Sequence, residues 1–598
     1  MADFFLIHSP DQAVLTRTVD AVRPRFHELA PEDRTDLLEG PGWSLLISTN
    51  AVTPYAVERG PERTAVVLGL TLDGDAPGPA ELVAPSPAAR AGAAAGYAKG
   101  LNFGLALTVS GDEVVAATDW LGLFPVYYRR QGPELVLSSI PGLIASSGPS
   151  RPRLDVAGLV GLLLLAHGSL GRTIFDGVSR LPAATVLRFA PAGPLGLERL
   201  DLEAPPSAPR TLGEAAEGFG AILDRAVRSA ATAGARSIYL SGGLDSRLIA
   251  GYLRRNQQGP IQAITLGDRR DLEMKAAARV VKALHLKHEA VPIELGEFPR
   301  YAARSIETDA LTGGLYTFME FAFSEAARPR VLTGFLGDVT MGASHIGWGW
   351  DPDLGSHGFR AMFRSANAWG LSPQAVREIV RADDIDAVIA GVMGELEAEF
   401  DSYPGPPWQR SWMFDLFHRQ RFIVGRCPQV MAARSWPVLP FAQAGVLSLV
   451  QASQLEFVAD RRAEIELLFR EFPELARLPL GRLIDSEWWY LVPRKRYVWT
   501  PLADRLKSSL VWHWHHSIDP WEPRVFLRAF DFDGPGWRAL RDEARAAADA
   551  AGEWLNKDAV LRLIPPGDED ARLRRALVDA TGRKVLVGAV LGCRRYFG

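Results

Sequence analysis

The chain has 598 residues, 47% of them hydrophobic, with 66 Lys+Arg against 70 Asp+Glu and a net charge of −4. This is a globular composition with room for two or more cores, and the charge balance offers no general argument for a nucleic-acid partner. Two cysteines, Cys427 and Cys593, exclude a disulfide framework and suit a reducing cytoplasm.

The N-terminus, Met1-Ala2-Asp3-Phe4-Phe5, carries neither a basic region nor a long apolar core, so no signal peptide is expected. Residues 1 to about 200 read as mostly β, with short apolar runs separated by Gly/Pro turns, among them residues 43–48, 65–70, 101–107 and 135–139. Residues 76–95 and 191–210, rich in Ala and Pro, read as loops or a linker. The apolar run 159–166, broken by Gly161, is too short to span a bilayer and reads as a buried helix, so no membrane partner is expected.

From about residue 210 the pattern changes. An amphipathic helix over 215–231 leads to a short apolar strand, Ile238-Tyr239-Leu240, and then Ser241-Gly242-Gly243-Leu244-Asp245-Ser246 opens a second helix. Two adjacent glycines let the backbone come close to a bound group, and the amides at a helix start favour an anion. Asp245 belongs in such a cradle if it holds a metal ion that neutralises phosphate. The Gly-Lys-Ser/Thr ending of a P-loop is absent. A second strand follows at 261–267, a helix over 271–284 with Asp271 or Asp268 as its cap, and a third strand at 288–292. Strand–helix–strand at this spacing predicts a parallel, doubly wound sheet with its ligand at the carboxyl ends of the strands.

Ser-Gly-Gly-x-Asp-Ser after a strand resembles the pyrophosphate loop of the ATP-pyrophosphatase superfamily. The first half adds to this. Asp119-Trp120-Leu121-Gly122-Leu123-Phe124-Pro125-Val126-Tyr127-Tyr128 and Arg172-Thr173-Ile174-Phe175 through Leu181-Pro182 are similar to the glutaminase-like domain of asparagine synthetases. The resemblance implies an α/β protein with two parts. Residues 1–205 would be a degenerate glutaminase-like domain, an α+β sandwich of the Ntn-hydrolase kind. Residues 206–598 would be a doubly wound, parallel-sheet ATP-pyrophosphatase domain with helical extensions. It also implies ATP and Mg²⁺ as cofactors, with Ser241, Gly242, Gly243, Asp245 and Ser246 on the phosphates and the backbone of Leu240, Leu266 and Gly334 beside the adenine. Glutamine hydrolysis in that family needs an N-terminal cysteine nucleophile. Position 2 here is Ala2, and no cysteine precedes Cys427, so this chain cannot run that step.

Val331-Leu332-Thr333-Gly334-Phe335-Leu336-Gly337-Asp338 resembles the family's second signature, which places Asp338 with Asp245 as the Mg²⁺ carboxylates. Phe335 falls where asparagine synthetases carry Glu and β-lactam-forming relatives carry Tyr, and an apolar ring takes no proton. Glu307, Asp309 and His345 are the candidates for another base. Trp436-Pro437-Val438-Leu439-Pro440-Phe441 resembles the segment leading to the family's Pro-Phe-Leu-Asp. Lys495, in Arg494-Lys495-Arg496, lies where the family places a lysine that neutralises the departing pyrophosphate. Trp512-His513-Trp514-His515-His516 has no Cys or carboxylate close by and reads as an aromatic stripe rather than a metal site.

The resemblance thus implies an AMP-forming amide ligase: a carboxylate is adenylated and an amine attacks it. Without a glutaminase the amine belongs to the substrate. An amine and a carboxylate held in one folded peptide gain from effective molarity and need little help from a base. The expected activity is therefore that of a lasso-peptide cyclase, joining a peptide's N-terminal amine to an Asp or Glu side chain. The expected partners are the precursor peptide, a leader-binding protein and a leader peptidase. A β-lactam-synthetase-like or amino-sugar-modifying ligase and a non-catalytic scaffold are the alternatives.

Overall fold

The structure, a computed structural model, describes residues 3–72, 79–84, 86–148, 150–315, 328–341, 358–479, 525–571 and 582–598. It is a mixed α/β fold. The first two hundred residues supply β1 (Asp3–His8), β2 (Arg34–Gly40), β3 (Trp43–Thr49), β4 (Tyr55–Arg59), β5 (Thr64–Thr71), β6 (Leu101–Val109), β7 (Val114–Thr118), β8 (Tyr127–Gln131), β9 (Glu134–Ser138), β10 (Ser179–Arg180), β11 (Thr185–Phe189) and β12 (Gly196–Arg199). They form two six-stranded sheets, in the orders β10-β8-β9-β1-β3-β2 and β12-β11-β7-β6-β5-β4. Every neighbouring pair is antiparallel.

Phe124 joins the sheets: its ring stacks on Phe4 of β1 at 6.5 Å and meets Phe103 of β6 edge-on at 5.4 Å. Strands β1, β3, β6 and β7 are buried along their whole length, as strands covered on both faces must be. Helix Gln12–Leu29 lies on the first sheet and helix Pro87–Gly100 on the second. The second helix corrects the loop expected over 76–95. Ser86 caps it by accepting from Ala89 N, Pro87 suits the first turn, and the alanines favour a helix. The loop expected over 191–210 is interrupted by β12. Helix Val156–Leu165 is buried, as expected.

The second half is built on β13 (Ser237–Tyr239), β14 (Gln262–Leu266), β15 (Lys287–Val291), β16 (Arg330–Leu332) and β17 (Trp436–Val438). All pairings are parallel and the order is β15-β14-β13-β16-β17. The chain thus begins in the middle, runs outward to β15, and returns to the other side of β13. This is the doubly wound arrangement, and its reversal point lies between β13 and β16, where a ligand crevice opens. Helices Leu244–Asn256 and Leu272–Leu284 follow β13 and β14. Asp271 stands at the expected cap position of the latter but does not bond its first turn. Its carboxylate accepts from Asp268 N at 2.7 Å and pairs with Arg528 at 2.5 Å.

The two halves share one apolar core. Trp436 of β17 packs on Phe103 at 5.5 Å. Next to it, the Asn102 side chain donates to Leu439 O at 2.7 Å and accepts from Leu439 N at 2.6 Å, fixing the chain where it leaves β17. Residues Leu416–Val424 are π-helical, a wide turn that throws Arg421 across the junction. Arg421 donates to Gly122 O at 3.3 Å and to Leu181 O. Burial first, and Arg180 second, lower its pKa to about 9. Nearby Asp119 accepts from Leu123 N and Phe124 N, yet burial pushes it up to about 6. No helix of the described residues is long and apolar enough to cross a membrane.

Two outcomes follow from these contacts. Asn102→Ala removes both bonds to a buried peptide unit and should lower stability by about 1–3 kcal/mol, read as a fall in melting temperature. The second concerns Glu399, which accepts from the Tyr403 hydroxyl at 2.7 Å and pairs with His418 at 3.2 Å. Burial pushes its carboxyl up, but His418 and the Tyr403 hydroxyl outweigh burial and bring it from 4.5 down to about 2. Between those values the unfolded chain binds the extra proton, so this stabilisation is full above about pH 4.5 and is lost as pH falls towards 2. Melting temperatures of Glu399→Gln should be lower than wild type at neutral pH and should converge with it over that acid window.

Candidate active site: a cavity at the sheet's reversal point

A cavity of about 420 Å³ opens at the carboxyl ends of β13, β14 and β16. It lies within the size range of small-molecule sites. Its polar end is the turn after β13: Ser241, Gly242, Gly243, Asp245 and Ser246 line it. Its other walls are mostly apolar, among them Tyr239, Ile264, Leu266, Met431, Leu439 and Val525, with Thr265, Glu273 and Thr333 as polar members, a lining that suits a base. Leu240 and Gly334 line it too, so all eight residues expected to contact the nucleotide come together here.

The turn is shaped by close packing. Gly242 has φ +76, and a Cβ there would sit 2.4 Å from Ala276 C and Ala277 N, so the turn lies directly on helix Leu272–Leu284. Arg247, wholly buried, donates to Gly242 O at 2.7 Å and to Leu475 O and Leu478 O at 2.8 Å each, which pins the turn from behind. The Ser241 and Ser246 hydroxyls are 3.2 Å apart. With the amides that open helix Leu244–Asn256 they form an anion cradle. Leu240 N donates to Ile264 O, and Thr265 Oγ1 donates to Leu240 O at 2.7 Å, holding the two strand ends in register.

The turn after β16 closes over the first. A Cβ on Gly334 would lie 2.6 Å from Ser246 N, and one on Gly337 would lie 2.3 Å from Asp245 Oδ1. Gly334 therefore sits against the phosphate end rather than the base slot. Asp338 follows in the first turn of the short helix Gly337–Thr340 and is half-buried. Burial holds the Asp245 carboxyl well above the usual carboxylate range; Glu464 and Asp338 push it the same way, and Arg461 opposes them. Asp245 and Asp338 are thus brought together, as the sequence implies. Among the described residues no group of three or more His, Cys, Asp or Glu side chains makes a metal site by itself. Two carboxylates with phosphate oxygens completing the shell is the usual way Mg²⁺ is held. The donor set fits: Asp245 with Asp338 near enough to act on it, and beside them a Glu464 oxygen that is buried without a hydrogen-bond partner.

Phe335 lines the cavity, its N–H donating to Thr333 Oγ1 at 3.1 Å. Glu307, expected as a base, is not at the cavity. It pairs with Arg25 at 2.7 Å and Arg595 at 3.0 Å, tying three helices together. Asp309 is likewise structural, buried with Arg426 at 3.3 Å. Lys495, His345 and the Trp512–His516 run lie outside the described residues. Sequence reasoning missed Arg461, Glu464, Glu273 and the pinning role of Arg247. Arg247 alone had a signal, its place beside the Gly-Gly turn. The others come from elements remote in sequence or from a helix face that spacing does not mark.

Residues 218–379 match the family model described as asparagine synthase. The match covers the turn after β13 and the turn after β16, and it supports an ATP-dependent amide-bond ligase in general. No curated protein matches the chain. Among solved structures, glutamine phosphoribosylpyrophosphate amidotransferase from B. subtilis, complexed with ADP and GMP, aligns at 9% identity with a TM-score of 0.24. The alignment covers 48% of this chain and 65% of that one, so the chain spans less than two thirds of that protein's length.

Gly337→Ala sets a methyl group against the Asp245 carboxylate. It should weaken binding of ATP with Mg²⁺ at least about tenfold in calorimetry, while the melting temperature of the unliganded chain falls much less.

Proposed function

We propose that this protein is an AMP-forming amide ligase that closes a ring within a peptide, joining the peptide's N-terminal amine to an Asp or Glu side chain. The observation that carries the reading is the close approach of Gly334 and Gly337 to Ser246 and Asp245 at a nucleotide-sized cavity, with Asp338 near enough to act on the Asp245 carboxyl. The turn's amides and hydroxyls would take the pyrophosphate end of ATP. Asp245 and Asp338 would hold Mg²⁺, whose charge, when bound, offsets that of the phosphate oxygens. The apolar slot would hold the base. A substrate carboxylate would then attack the α-phosphorus, and pyrophosphate would leave with the bond it breaks. The amine would next attack the acyl carbon, and AMP would leave with the carboxylate oxygen.

Two features favour a tethered amine over ammonia. Residues 1–426 hold no cysteine that could serve as the nucleophile of glutamine hydrolysis, so this reading takes the amine from the substrate. Phe335 lines the cavity and offers no proton acceptor there, which suits an amine whose position, rather than its activation, sets the rate. The precursor peptide, a leader-binding protein and a leader peptidase are the partners this reading requires.

The test is to incubate the chain with ATP, Mg²⁺, a candidate precursor peptide and a cognate leader peptidase, and to follow peptide mass and nucleotide products together. The expected outcome is loss of one water from the core peptide with matching AMP, both abolished in Asp245→Asn. AMP formed with an unchanged peptide mass would assign the ligase a different acceptor. Absence of AMP and of ATP–pyrophosphate exchange would leave a non-catalytic scaffold.

A further inference from the structure

Against Asp245 lies a buried ion pair, Arg461 with Glu464, to which the reaction described above gives no role. The Arg461 side chain is 9% exposed. Its Nη2 donates to Asp245 Oδ1 at 2.5 Å and its Nε donates to Glu464 Oε2 at 2.7 Å. Arg461 holds φ +62, a left-handed conformation that a side chain of this size adopts only when its surroundings impose it. Glu464 is fully buried on helix Arg462–Glu471, and its Oε1 has no hydrogen-bond partner.

An ion pair serving only the fold would satisfy both oxygens of a wholly buried carboxylate. This one does not. Asp245, Glu464 and Asp338 all act on this one guanidinium. The guanidinium also rests on the same carboxylate that the two turns present to the nucleotide. A divalent ion on Asp245 Oδ1 and the guanidinium on that oxygen would repel one another at contact distance.

We propose that Arg461 is a pyrophosphate-binding residue held in reserve on Asp245, with Glu464 the positioning residue that tethers it when a divalent cation takes the Asp245 oxygen. The inference rests on the ligase reading and adds a residue and an order of events to it. Once displaced, the guanidinium loses one contact and keeps the Nε–Glu464 bond, so it stays beside the turn with its outer N–H groups released. Those groups form the planar fork that binds phosphate oxygens in pairs. The cation and the arginine then face the phosphates together. Without the cation the arginine is withheld, so nucleotide lacking metal meets a site with one cationic group fewer.

The experiment uses the full chain and calorimetry with two probes, Mg²⁺ alone and inorganic pyrophosphate in the presence of Mg²⁺. Arg461→Gln should bind Mg²⁺ alone several-fold more tightly than wild type, because no resident cation has to be displaced, and should bind pyrophosphate about tenfold more weakly. Arg461→Lys, which keeps the charge and the pairing but loses the fork, should fold as wild type does and fall between the two on pyrophosphate. Glu464→Gln should also weaken pyrophosphate binding. Wild-type pyrophosphate affinity in Arg461→Gln, or Mg²⁺ affinity that fails to rise, would overturn the proposal. If Arg461→Gln does not fold, wild-type pyrophosphate affinity in Arg461→Lys overturns it instead. A wild-type chain that does not bind magnesium pyrophosphate would bring down the ligase reading and this inference with it, whereas binding that ignores Arg461 sinks this inference alone.

Discussion

The site depends on how closely two turns can approach. The turns after β13 and β16 meet at the one place in the parallel sheet where the strand order reverses, and they meet with no room for a side chain at Gly334 or Gly337. Because those positions have no Cβ, the second turn lies directly on Asp245 and brings Asp338 beside it. The raised pKa of Asp245 is the electrostatic expression of the same contact: burial and the neighbouring carboxylates oppose its ionisation and outweigh Arg461, which favours it. Geometry and charge therefore arise from one packing constraint. The glycines of the first turn serve the same end, since Gly242 lets the turn lie on the helix that follows β14.

The parts of the molecule that sequence reveals are those built from neighbours in the chain. The Gly-Gly turn, the strand before it and the amphipathic helices on either side carry their periodicity and turn chemistry within a dozen residues. Leu240, Ser241, Ser246 and Leu266 meet in the cavity because two such local units pair in a parallel sheet. Asp338 is legible for the same reason, as part of a second strand–turn unit.

What sequence conceals is contributed from afar. Arg461 and Glu464 reach Asp245 from a helix more than two hundred positions away, and nothing in their spacing marks a partner. Glu307 illustrates the converse. A carboxylate in a suggestive motif turns out to join helix Gln12–Leu29 to the C-terminal helix Gly582–Tyr596, because helix periodicity says which face a residue occupies and not what covers that face. The alanine-rich stretch before β6 misleads in another way. Its composition resembles a linker, while its cap and helix propensity favour the element that covers the second sheet.

Asn102 gives the first half of the chain a purpose that needs no chemistry of its own. It grips the N–H and C=O of Leu439, and Leu439 is a wall of the cavity. The antiparallel sheets therefore buttress the cavity, and its shape is set partly by a strand that does not line it. The two halves cannot be drawn apart along this seam without moving a wall of the cavity, so the sandwich and the parallel sheet work as one mechanical body.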